Sequence, residues 1–270
     1  MPEPMIPDPM MPTRVVMAPE GTDQGASRAM PGLCGSISVH LEGAEMSGTL
    51  ALLGGAEWTE GVTLDAALSK ESSATEVSIL PTATAYENPG ARVERAERSL
   101  GALGLSINVL PVYQRAQAFE PEWAERAASA KWLYLTGGSP MHLRSVLFDT
   151  PLWDAVIDAF ERGATLVGAG EAASVFCDAL PDPRGGAFTV GLDLINTLTV
   201  LPRYERWSAE TLHRTVSLAP SGLPVVGLDA QTALVRSPGG SWSAEGPGRV
   251  AVYVDAHQAE VADLPADLHR

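Results

Sequence analysis

From Thr49 onward the chain alternates short apolar runs with amphipathic stretches, and this alternation limits the possible folds more than any other feature. Candidate strands are Thr49–Leu53, Val77–Leu80, Ile107–Val112, Trp132–Leu135, Ala164–Val167, Thr197–Leu201, Val225–Leu228, Ala233–Arg236 and Arg249–Val254. Several are continuous and rich in Val, Ile and Leu, the composition of strands covered on both faces. Helical patterns fall between them: Arg92–Leu103, Glu122–Ala130, Met141–Phe148, Leu152–Arg162 and Ser208–Leu218. Pro121, Pro140 and Pro151 stand directly before three of these. Proline suits a first helical position, because its φ is preset and its missing amide would have no partner there. The pattern predicts an α/β fold: a mainly parallel, doubly wound sheet with helices on both faces. The closely spaced strands after residue 223 are expected to add small antiparallel hairpins at one edge.

Residues 1–47 differ in kind. Pro, Met, Gly and Ser dominate, and only Ser36–Leu41 looks strand-like. Such a stretch offers too little apolar surface to offset its ordering entropy, so a loose extension is expected before a domain spanning 48–270. The N-terminus has no apolar core of the kind a secretory signal needs. Cys34 and Cys177 fit no metal or redox spacing, which suggests two reduced thiols in a cytoplasmic protein. The 18 basic and 33 acidic residues give a formal charge of −15, a field that disfavours nucleic acid and anionic membrane surfaces as partners. There is no metal-ligand spacing, no P-loop and no basic stripe, and no cofactor is expected.

In an open parallel sheet, ligands gather where strands end and helices begin. The most informative such junction is Ala164–Val167 followed by Gly168-Ala169-Gly170-Glu171-Ala172-Ala173-Ser174. Five further segments occur in order around it: 51–61 (ALLGGAEWTEG), 79–90 (ILPTATAYENPG), 135–147 (LTGGSPMHLRSVL), 191–207 (GLDLINTLTVLPRYERW) and 227–235 (GLDAQTALV). Together with 163–175 (GATLVGAGEAASV), this collinear set resembles the dipeptidase E and cyanophycinase family of serine peptidases, in its glutamine-amidotransferase-like branch. The resemblance covers essentially everything after residue 48 and implies a class I glutamine-amidotransferase-like fold. It is also compatible with a homodimer.

In that family the strand ends in a turn reading G-x-S-A-G-A. Its serine attacks a carbonyl, a histidine takes the proton, and backbone amides hold the oxyanion. Carried over, Gly168 takes the first glycine, Gly170 the serine, Glu171 the alanine and Ala172 the second glycine, while Gly137 and Gly138 take the oxyanion pair. The departures fall on the chemistry. Gly170 has no side chain, and the histidine of L-P-H-Y-D-R-W becomes Arg203, a permanent cation that cannot act as a base. A glutamate common in G-I-D-E-x-T-A reads Ala230, and Asp182 or Asp193 are the remaining candidates for the acid. Glu171 would also set negative charge beside the developing oxyanion. The resemblance therefore implies a catalytically degenerate peptidase homologue. Its pocket would be built from Gly137, Gly138, Gly168, Glu171, Ala172, Arg203 and Glu205, and would serve a small ligand or a protein partner. Arg203 is expected to fill the vacated histidine space and pair with Glu171 or Glu205.

Two alternatives stand beside this. Ser174 and Cys177, one and two helical turns past Gly170, are fallback nucleophiles for an active hydrolase. None of the five histidines matches the family's slot, although His142 lies nearest in sequence. Separately, Gly168-x-Gly170-x-x-Ala173 fits the dinucleotide fingerprint formally, but Glu171 would repel a pyrophosphate. Trp58, Tyr86 and Trp207 are candidate rim aromatics, and Asp65, Glu87 and Asp255 are read as surface charge.

Overall fold

The computed structural model describes residues 48–269. The expectations for Cys34, for the strand at Ser36–Leu41 and for a loose segment 1–47 lie outside the described residues.

The first half of the domain runs β1 (Leu50–Leu53), α1 (Leu64–Glu71), β2 (Glu76–Leu80), α2 (Pro89–Gly101), β3 (Ser106–Val109), α3 (Pro121–Ser129) and β4 (Trp132–Leu135). It continues with α4 (Pro140–Leu147), α5 (Pro151–Glu161), β5 (Thr165–Ala169), α6 (Glu171–Val175), β6 (Ala179–Pro181), β7 (Phe188–Val190) and β8 (Thr199–Pro202). The last part comprises α7 (Ala209–Leu218), β9 (Val225–Leu228), β10 (Ala233–Arg236), β11 (Trp242–Glu245), β12 (Val250–Val254) and β13 (His257–Ala259).

Seven strands form the central sheet in the order β11-β10-β1-β5-β4-β2-β3. The pairings from β1 to β3 are parallel, and β10 and β11 add an antiparallel hairpin at one edge. Not all of the late strands lie at that edge. β9, β12 and β13 join β8 in a separate four-stranded sheet, in which β8 and β9 run parallel. The sequence marks β9 and β12 as strands, but nothing in their apolar pattern says which sheet they enter.

Successive residues of β1 face opposite layers, as the period-two geometry of a strand requires. Leu50 and Leu52 pack with Leu143 and Leu147 of α4 and Leu152, Val156 and Phe160 of α5. Ala51 and Leu53 pack with Leu64 and Leu68 of α1 and Ala96 and Leu100 of α2. Each buried leucine contributes about 1.5–3 kcal/mol, so one short strand ties together both helical layers.

Helix starts follow the proline signals. α3, α4 and α5 each begin on proline, and the Ser139 and Thr150 side chains accept the backbone N–H of His142 and Trp153. No helix among the described residues is long and apolar enough to cross a membrane.

Candidate active site

Three neighbouring parallel strands end at one place. β1 runs into Gly54-Gly55, β5 into Gly170, and β4 into Thr136-Gly137-Gly138. Gly170 sits between β5 and α6 at φ +53° and ψ −124°, the sharp strand-to-helix turn of a nucleophile elbow. A side chain there would be strained by the positive φ, yet it would have room. A Cβ on Gly170 would lie 3.6 Å from Gly137 Cα and 3.7 Å from Gly55 Cα, which is ordinary contact. The turn therefore has room for a side chain at position 170.

The glycine amides next to the elbow are engaged by the protein's own carboxylates. Gly138 N–H donates to Glu171 Oε2 at 3.2 Å, and Gly137 N–H donates to Glu57 Oε1 at 3.1 Å. Glycine is required at 138, since a Cβ there would come within 2.4 Å of the Ala83 carbonyl oxygen. The other oxygen of Glu171 lies 3.5 Å from Arg203 Nε, the first of the two pairings the sequence suggested. Arg203 follows β8 in the left-handed region, at φ +51°, and its N–H donates to the Gly54 carbonyl at 2.9 Å. Its side chain lies across Gly55 and is about one-third exposed, with Nε buried and without a hydrogen-bond partner.

Glu205 takes other partners. Its carboxylate accepts the Ala230 N–H at 2.9 Å and pairs with Arg206 at 3.6 Å, not with Arg203. Ala172 is buried in the core beneath the turn. Gly168 lies within β5, where a Cβ would come within 2.6 Å of the Phe176 ring, so packing alone accounts for this glycine. The helix after the dinucleotide-like motif, α6, is only five residues long.

Outside the glycine turn a cleft of about 560 Å³ opens, lined by Glu171, Ser174, Leu180, Pro202, Arg203 and Trp207 among others. Ser174 therefore borders the cleft. Cys177 is fully buried, and burial pushes its thiol up to about 12, so it is neither accessible nor ionised at neutral pH. His142 stands on α4, with Nε2 on the Tyr113 carbonyl at 2.9 Å and its ring edge-on to Tyr86. Asp182 bonds Arg184, which holds its carboxyl down at about 2. Trp207 lines the cleft, whereas Trp58 is buried against Tyr134 with ring centroids 4.6 Å apart, and Tyr86 is exposed. Among the described residues no group of three or more His, Cys, Asp or Glu side chains could hold a metal.

Sequence reasoning missed a buried charge cluster behind Gly137. Glu57, fully buried, accepts from Arg92 Nη1 at 2.5 Å as well as from the Gly137 amide. Asp65 is not a surface charge. It is 3% exposed, its Oδ1 has no hydrogen-bond partner, and its carboxyl is raised to about 7, first by burial and then by the charge of Glu57. Burial, reinforced by Asp65 and Glu57, also pushes the Tyr134 phenol well above its usual range. The one available signal was the position of Glu57, just past a glycine pair at the end of a parallel strand.

The fold and this turn define an α/β protein with the nucleophile-elbow architecture of a hydrolase. Residues 50–240 match the sequence profile of peptidase family S51, and the chain belongs to that family. Among solved structures, a peptidase from an acI-B1 actinobacterium superposes with a TM-score of 0.70 at 24% identity, covering 80% of this chain and 94% of that one. A putative peptidase E protein from Listeria monocytogenes EGD-e gives 0.54 at 16% identity, over 77% and 98% of the two chains. A comparison with curated proteins returned no match.

Proposed function

We propose that this chain is a non-catalytic member of the S51 family that binds a small molecule in the cleft beside the former active site. The observation that carries this reading is the state of the turn. The elbow residue is Gly170, and the neighbouring Gly138 amide already holds the carboxylate of Glu171. An oxyanion needs preorganised donors free to receive it. Here that donor has a resident anion, and no side chain is available to attack. Arg203, in the place of the base, carries a guanidinium, a donor with no acceptor site, and turns it toward Glu171. Loss of a triad nucleophile lowers turnover by about a millionfold in serine peptidases, and further losses then add little.

Ser174 supports a second reading, because it borders the cleft. It lies inside α6 and not at the exposed tip of the turn, where a nucleophile is presented. Incubation of the purified chain with a dipeptide library, followed by mass spectrometry, separates the two. The proposal expects unchanged dipeptides. Hydrolysis abolished by Ser174→Ala would establish an enzyme with a displaced nucleophile.

A further inference from the structure

Within this non-catalytic reading, we infer that the cleft receives a free α-amino acid with an apolar side chain, its ammonium taken by Glu171 and its carboxylate by Arg203. The inference rests on the reading above and names the ligand class for the same site.

The two side chains form an opposite-charge pair that is poorly bonded to itself. Nε of Arg203 is 3.5 Å from Glu171 Oε1 without hydrogen-bond geometry, and it has no other hydrogen-bond partner. A guanidinium carries five donors and can hold a carboxylate through two parallel bonds, and this side chain, about one-third exposed, lines the cleft. The backbone N–H of Arg203 to the Gly54 carbonyl holds the residue at φ +51° and lays the side chain across Gly55. Glu171 is anchored through Oε2 by Gly138 N–H, its Oε1 lies 3.5 Å from Arg203 Nε, and the residue lines the cleft. The ammonium and carboxylate of an α-amino acid hang from one carbon. They can therefore enter side by side between an anchored carboxylate and an underused guanidinium.

The surroundings suit the rest of such a molecule. Leu180, Pro181, Pro202 and Trp207 supply an apolar wall for the side chain. A simple anion would use only Arg203 and would be repelled by Glu171, whereas a zwitterion uses both.

Isothermal titration calorimetry with L-phenylalanine, N-acetyl-L-phenylalanine and L-phenylalaninamide tests the inference on the whole chain. Phenylalanine is expected to bind, and each analogue, lacking one charge, to bind about tenfold or more weakly. Glu171→Gln should erase the discrimination against the acetylated analogue, and Arg203→Gln the discrimination against the amide. A merely structural role for either residue would weaken all three compounds equally, and that result would overturn the inference. It also fails if neither phenylalanine nor leucine binds, or if the analogues bind as tightly as the parent. Binding of succinate in place of amino acids would refute the zwitterion while leaving the non-catalytic reading intact. Dipeptide hydrolysis would remove the reading beneath it.

Discussion

Replacing Asp65 with asparagine should flatten the pH dependence of stability. Asp65 is 3% exposed, with Oδ1 unpartnered, and its carboxyl is raised from 3.8 to about 7 by burial and then by Glu57. The folded chain therefore holds a proton that the unfolded chain releases once the pH passes the unfolded value. The stability this proton confers is present in full below 3.8 and is lost as the pH rises through about 7. A rise of that size corresponds to about 4 kcal/mol, on the order of 10 °C in melting temperature for a domain of this length. Asparagine has nearly the same shape and does not titrate. Thermal unfolding followed by circular dichroism, from about pH 4 to about pH 8, should show wild type losing roughly that much more stability than Asp65→Asn across the window. Parallel profiles for the two proteins would refute the assignment of a buried, protonated Asp65.

Other outcomes follow from the same geometry. Gly168→Ala drives a Cβ to 2.6 Å from the Phe176 ring and should destabilise by about 1–3 kcal/mol in chemical denaturation. Cys177, buried and with its thiol raised to about 12, should resist thiol reagents in the folded chain and react only on unfolding, as read by mass spectrometry. Gly170→Ser should fold, since its Cβ makes only ordinary contacts, at a strain of about 1–3 kcal/mol from the positive φ. It should remain inactive in a dipeptide hydrolysis assay, because Arg203 cannot take the serine proton; turnover by this single variant would contradict the role given to Arg203.

The fold was legible wherever burial on both faces or a proline start left a local mark. β4, β9 and β10 have the limits read from their apolar runs, and α3, α4 and α5 begin one residue before the periodic pattern, on the prolines themselves. α1 was not legible, because Leu64 and Leu68 are its only large apolar residues and no proline precedes it. β11 and β13 read WSAE and HQA, short polar-leaning segments whose strand character comes from a paired neighbour, and β7, FTV, is only three residues long. At the site, the juxtaposition of Glu171 and Arg203 could be read from the joint appearance of opposite charges at two motif positions. Glu57 carried one mark, its place just past a glycine pair at a strand end, but nothing local distinguishes Arg92 as its partner or the buried Asp65 from a carboxylate in water. Glu205 shows the reverse: a charge adjacent in sequence to Arg203 whose carboxylate turns to the Ala230 amide instead.

The central claim, a nucleophile elbow without a nucleophile, is tested most directly by a fluorophosphonate serine-hydrolase probe applied to the wild-type chain, with Ser174→Ala and Cys177→Ala beside it. The account predicts no covalent adduct on any of the three proteins by intact-mass spectrometry. An adduct on wild type that disappears with Ser174→Ala would contradict it and make the cleft a working active site.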